Sequence, residues 1–354
     1  MPKIEILGTG RLDQRESAFP QAVQLPDGNI LCSFSVGGGQ YARGGTDWAR
    51  SSDGGETWSL EGTILPPTND PPTTNFLKLT LSPDGKTIYA YGSRDFRGGD
   101  ESFGEVKCEP IFCTSTDNGH TWSTPQVIPM PVDCPLEISH GLLPVASGRL
   151  LAPSATLPSQ DRLGEQVLAV ISDDGGKTWL THAVVFEDPD EKCGYFEQKL
   201  TELTPGCLMA TAWTVTFGDV VDQSDSFTIS KDNGSTWAPP RSTGIQGQTL
   251  TPFWLGDDRL LVLYNRRYGE QGISMCLVTF TDEAWKLHYE GVLYDAKASR
   301  ERAVEVETGV KELDSFQFGF PTAIRLQDGT FLATHWSVEN GVSGIRWYKL
   351  GVDW

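Results

Sequence analysis

Apolar and polar residues alternate along this chain in short runs, and the runs come in pairs that flank a turn residue. Six such pairs align: Ala18–Phe34, Phe76–Tyr91, Ile138–Pro153, Phe196–Trp213, Pro252–Tyr264 and Phe320–Trp336. Their turn positions are Gly28, Gly85, Gly148, Gly206, Asp258 and Gly329. Side chains on a strand point to opposite faces in turn, so alternation on both sides of a turn residue predicts a β-hairpin.

A second pattern, S-x-D-x-G-x-T-W, occurs four times, starting at Ser51, Ser115, Ser172 and Ser230. It has the makings of a tight turn. The carboxylates of Asp53, Asp117, Asp174 and Asp232 can accept bonds from nearby backbone N–H groups, and the glycine two residues on takes φ > 0 without strain. The closing Trp is expected to pack on its blade. Four copies of one local motif cannot share one site, so these Asp residues are turn makers and not catalytic groups. Each unit thus carries two hairpins, which make one four-stranded antiparallel blade. Six such units predict an all-β, six-bladed β-propeller, read as a single domain over residues 1–354. Units five and six lack a clear second motif, with Thr281–Trp285 a worn remnant. Lys3–Gly8 is placed to close the ring as an outer strand beside Gly344–Leu350. The extra length of unit five falls at Asp295–Val310, a charged insertion or lid.

Composition fits many turns around a large core: 38 Gly, 22 Pro, 16 Phe, 11 Trp and 9 Tyr in 354 residues. Charge narrows the partners. A net charge of −19 repels nucleic acid and anionic membranes, so neither is expected. An anionic ligand would need a local group of arginines. The seven Cys are odd in number and irregular in spacing, and read as buried thiols of a reducing compartment. Cys108 and Cys113 have no second pair to complete a zinc site, so no metal or other cofactor is expected. The N-terminus shows no apolar leader and no long apolar run occurs. The default location is therefore cytoplasmic, or secreted if a signal peptide has been removed. Oligomeric state is not legible.

The S-x-D-x-G-x-T-W turns and their spacing resemble the sialidase (neuraminidase) superfamily of BNR-repeat, or Asp-box, propellers over nearly the whole chain. The resemblance implies an active site on the face opposite the Asp boxes. That face gathers residues just before each innermost strand and just after each second strand. The best local match is Tyr195–Gly206 (YFEQKLTELTPG), where Glu197 takes the place of a sialidase Glu that polarises a Tyr nucleophile. Other positions depart from the family pattern. Ser17-Ala18-Phe19-Pro20, with Arg15 two residues earlier, stands where the first arginine of a carboxylate-gripping triad belongs. Trp213 replaces the second, and Arg266 and Arg267 match the third. Phe318-Gly319-Phe320-Pro321 stands in place of the Tyr nucleophile. The loop Gly37–Gly45 lacks the acid/base Asp, and Asp47 follows it.

These departures argue against an ordinary sialidase but not against a glycosidase, because most glycosidases need only two carboxylates. The expected catalytic set is Glu197 with Asp47, Asp95 or Glu137 as second carboxylate, and His140 nearby. Glu16 and Asp314 are further acids on the same face. Arg15, Arg43, Arg94, Arg97 and Arg267 are candidate anion-binding residues. Tyr41, Trp213, Tyr268 and Trp336, with Phe19 and Phe196, are candidate sugar-stacking residues. The expected function is a sialidase-like glycoside hydrolase, exo-acting on a terminal sugar, acidic or polar, of a glycan or small saccharide. Two alternatives stand beside it. One is a polysaccharide lyase on uronic acids, with His140, Tyr41 or Tyr268 as base. The other is a non-catalytic glycan- or protein-binding propeller.

Overall fold

The computed structural model describes residues 1–97, 106–159, 161–218, 221–300 and 316–354. Among them a 3-10 turn at Gly39–Tyr41 is the one helical element, and the remaining elements are strands in six antiparallel sheets. These are the six blades of the β-propeller that the repeats predict. Blade two carries an extra two-residue strand, Thr68–Asn69, and the inner strand of blade three is split into Leu136–Glu137 and Leu143–Pro144.

The blades fall into two compact units. The first holds blades six, one and two, and the second holds blades three, four and five. In each unit the core lies between neighbouring blades. Leu31 and Trp48 of blade one pack with Leu77, Leu79 and Ile111 of blade two. Ser33 Oγ donates to the Leu77 carbonyl at 2.8 Å, tying the second strand of one blade to the inner strand of the next. The second unit repeats the device: Thr211 Oγ1 of blade four donates to the Leu250 carbonyl of blade five at 2.8 Å.

The four S-x-D-x-G-x-T-W turns form as their chemistry demands. Asp53 accepts from the Glu56 and Thr57 backbone N–H groups at 3.0 and 2.9 Å, and Ser51 Oγ accepts from Gly55 N–H at 2.9 Å. Donors crowded on the carboxylate hold Asp53, Asp117 and Asp174 down at about 2. The motif glycine also meets the preceding blade. A Cβ on Gly234 would lie 2.3 Å from Leu151 Cδ2, and one on Gly119 would lie 2.7 Å from Leu31 Cδ1. At Thr281–Trp285 the carboxylate cradle is absent. There the Thr281 hydroxyl accepts from the Glu283 and Ala284 N–H groups, and Asp282 pairs with Lys231.

Closure follows the expected route. Lys3–Asp13 pairs antiparallel with Val342–Asp353, with Ile6 opposite Leu350, and becomes the outer strand of blade six. In blades two to six the inner strand begins upstream of the repeat window, at Pro72, Leu136, Cys193, Gln248 and Phe318. Of the segment read as an insertion, residues 295–300 continue the outer strand Trp285–Arg300. Residues 301–310 and Asp314 lie outside the described residues.

Four inner strands share a feature that alternation alone does not predict. One residue bulges out near the start, in the left-handed region of backbone space: Phe19 (φ 56°), Glu197 (φ 50°), Thr249 (φ 52°) and Phe320 (φ 55°). Each sits in a register shift against the second strand, at Ala18/Gln21, Phe196/Lys199, Gln248/Thr251 and Gly319/Thr322. Such a conformation is costly for residues with a Cβ, and a bulge re-aims the side chain it carries.

Candidate active site

In the first unit the bulge residues are aromatic. Phe19 lies 5.4 Å from Phe76 and 5.5 Å from Phe320 between ring centroids, and 6.4 Å from Trp336. Trp336 is buried in this cluster. In the second unit the bulges carry Glu197 and Thr249, and these two side chains meet: the Thr249 hydroxyl donates to Glu197 Oε2.

Glu197 is the centre of the second unit's polar cluster. Its backbone N–H donates to Glu137 Oε2 at 3.0 Å, so the short strand Leu136–Glu137 supplies a second carboxylate beside it. Part of Glu197 still reaches solvent. Protein nevertheless crowds the carboxyl group, and this desolvation is the main force raising its pKa to about 6. Arg267 and Lys199 oppose the rise, while Glu137 and Asp222 add to it. Lys199 is buried, donates to the Ser139 carbonyl, and is pushed down to about 8 by burial despite Glu197 and Glu137. Arg267 is also buried; its guanidinium lies 3.5 Å from the Phe316 ring centroid and 5.9 Å from that of Trp213.

A shell of polar residues backs this centre. Trp213 is fully buried, packs on Phe196 at 4.3 Å, and donates from Nε1 to Asp222 Oδ1 at 2.8 Å. Gln248 Nε2 donates to the other Asp222 oxygen at 2.9 Å. Asp225, with no exposed surface, has its pKa raised well above the usual carboxylate range by burial, then by Asp222 and Glu197.

The structure thus brings Glu137, Glu197, Trp213 and Arg267 together. His140 is half-buried in the same unit, with Nδ1 against the Gly141 carbonyl at 2.8 Å, and Tyr268 follows Arg267 as a half-buried side chain. Apart from Phe196, which packs on Trp213, and Asp314, outside the described residues, the other expected residues belong to the first unit. Asp47 is held by Arg15 at 3.1 Å and by Thr63 Oγ1 at 2.6 Å, and Arg15 also binds Asp13 at 2.7 Å. Asp95 is buried with Arg97 at 3.4 Å, and burial raises its pKa. Arg94 pairs with Glu109. Tyr41 is exposed, and the Arg43 guanidinium lies 5.3 Å from its ring centroid. Glu16 is exposed at φ 52°.

Thr249, Lys199, Asp222, Asp225 and Asn265 escaped the sequence reading. The usable signal for Thr249 was alignment backward from the Asp258 turn, which sets Gln248-Thr249-Leu250 level with Phe196-Glu197-Gln198.

Residues 79–332 match the BNR repeat-like domain, and the chain belongs to that family. No curated protein matches it in sequence. Among solved structures, a protein of unknown function from Dyadobacter fermentans is similar with a TM-score of 0.79 and 22% identity, over 100% of both chains. A variant of the NanB sialidase from Streptococcus pneumoniae is similar with a TM-score of 0.67 and 13% identity, over 95% of this chain and 68% of that one. An α-L-arabinanase from Penicillium chrysogenum, solved with arabinobiose, reaches a TM-score of 0.67 at 15% identity, over 98% of both chains. At these identities the likeness is one of fold.

Proposed function

We propose that the chain is a glycoside hydrolase that acts on the terminal sugar of a glycan, with Glu197 as the proton donor to the leaving oxygen. The observation that carries this reading is geometric: Glu197, on a residue that keeps some exposed surface, stands beside a second carboxylate, Glu137, and burial raises its pKa to about 6. A general acid must hold its proton at working pH yet release it readily, and a raised carboxyl pKa serves both needs. Glu137 is the partner that activates water or attacks the sugar. The similar arabinanase, solved with a neutral disaccharide, supports a neutral sugar.

The test is a panel of oligosaccharides and nitrophenyl glycosides, with arabinofuranosides, galactosides and a sialoside among them. The protein is expected to release sugar from a neutral member, and Glu197→Gln is expected to lower kcat/KM about 100-fold or more. Binding of a glycan with no turnover of any member would replace the hydrolase with a binding propeller.

A further inference from the structure

Glu197 does not stand alone on its bulge; two buried residues of blade five act on one of its oxygens. Asn265 and Gln248 face each other across the first hairpin of that blade, just before the bulge at Thr249. Asn265 has no exposed surface, and Thr249 is 1% exposed. Asn265 Nδ2 donates to Thr249 Oγ1 at 3.1 Å, and the Thr249 hydroxyl donates to Glu197 Oε2.

Hydrogen counting gives this chain a direction. A hydroxyl has one hydrogen and two lone pairs. The Asn265 amide takes up an acceptor position on Thr249 Oγ1, so the single hydrogen is left for Glu197. Thr249 cannot easily turn away. It is β-branched, which restricts χ1, and its backbone is held in the left-handed region at φ 52°. Glu197 is fixed from its own side by the bond from its N–H to Glu137 Oε2. Oε2 is therefore met by a donor, and Oε1, which neither Thr249 nor Asn265 reaches, is the oxygen better placed to hold a proton.

We infer that Thr249 and Asn265 are positioning residues, a fixed donor relay that occupies Glu197 Oε2 and leaves Oε1 to carry the acid's proton. The inference rests on the reading of Glu197 as the catalytic acid, and it adds which oxygen serves and what sets its orientation. The two bulges at 197 and 249 aim the two partners at each other. The charged and titratable groups around Glu197 are Arg267, Glu137, Lys199, Asp222 and Asp225, and Thr249→Val substitutes none of them.

The relay is tested without any substrate, by following the Glu197 carboxyl carbon in the full chain by NMR titration after ¹³C labelling of glutamate. Its resonance is assigned by its loss in Glu197→Gln. Thr249→Val removes the donor and keeps the shape, so the Glu197 midpoint is expected to rise by about one pH unit or more, as for a lost bond to a charged acceptor. Thr249→Ser keeps the hydroxyl and is expected to titrate as the parent does. Asn265→Leu removes the amide that fixes the Thr249 hydrogen and adds no charge; it is expected to raise the midpoint in the same direction, which keeps the test alive if the valine variant does not fold. An unmoved midpoint in either Thr249→Val or Asn265→Leu, or a serine variant that behaves like valine, would overturn the relay. Loss of the hydrolase reading looks different: the relay titrates as expected while no glycoside on the panel is cleaved.

Discussion

Asp225→Asn changes one buried proton and almost nothing of shape. Asp225 has no exposed surface, and neither carboxyl oxygen has a well-formed hydrogen bond among the described residues. The Gly247 N–H is the one group that favours its charged form, from outside good hydrogen-bond geometry, whereas burial, Asp222 and Glu197 all oppose it. The folded protein therefore keeps this proton well above the pH at which the unfolded chain, with an Asp pKa of about 3.9, gives it up. A raised folded-state pKa contributes stability that is complete below the unfolded value and is lost as pH rises toward the folded one. Across that window the folded state binds one more proton, and stability falls by about 1.4 kcal/mol per pH unit. Asparagine imitates the neutral acid at every pH and carries no such slope. The parent-to-variant gap should therefore widen in the variant's favour by about 1.4 kcal/mol for each pH unit within that window. Glu197 adds a slope of the same sign up to about 6, but it is present in both proteins and cancels. Urea unfolding followed by tryptophan fluorescence between pH 4.5 and 7.5, with equal m-values, measures the gap directly. Parallel stability curves for the two proteins would show that Asp225 ionises in the fold as freely as in the unfolded chain, and the reasoning would fail.

Other outcomes follow from the same geometry. If Glu197 is the acid, kcat/KM on a cleaved glycoside falls as pH rises through about 6, and Lys199→Met moves that limb upward because the Lys199 charge favours the ionised carboxylate; an unmoved limb would take Lys199 out of the site's electrostatics. Gly234→Ala sets a methyl 2.3 Å from Leu151 Cδ2 at φ +79°, and is expected to cost about 2 kcal/mol or more by thermal unfolding. Gly148→Ala, at φ +87° with nothing within 4 Å, should cost only the backbone term of about 1 kcal/mol; equal losses would deny that the motif glycine seats one blade on the next.

What was legible in the sequence was what repeats. A hairpin needs alternation and a turn residue, and both are local, so the six units could be counted from Gly28 to Gly329 with no structure in hand. Glu197 was legible because its surroundings, YFEQKLTELTPG, hold a turn and a carboxylate in one stretch. Burial near the strand ends was not. Trp213 and Trp336 read as sugar platforms because they end strands on the right face, yet both are packed against Phe196 and Phe19 and present no open ring. Thr249, Asn265 and Asp225 carry no composition signal at all: a threonine or asparagine at a strand end looks like any solvent-facing residue. Their roles depend on a left-handed bulge that shifts one residue in the register, and neither hydropathy nor propensity encodes that shift at Thr249.

The pairing of Lys3–Asp13 with Val342–Asp353 has a consequence for how the protein comes into being. Thr9 Oγ1 bonds the Trp347 carbonyl across 338 positions of chain. Lys3–Asp13 therefore waits, edge groups unpaired, until residues 342–353 have been made. Blade one can fold early from residues 18–65, but blade six is complete only once its last strand, Val342–Asp353, has emerged. Contacts this distant in sequence are the slow ones to form. During that interval the waiting strand, with Ile6 and Leu7 open to solvent even in the finished fold, is the segment most in need of protection from other chains.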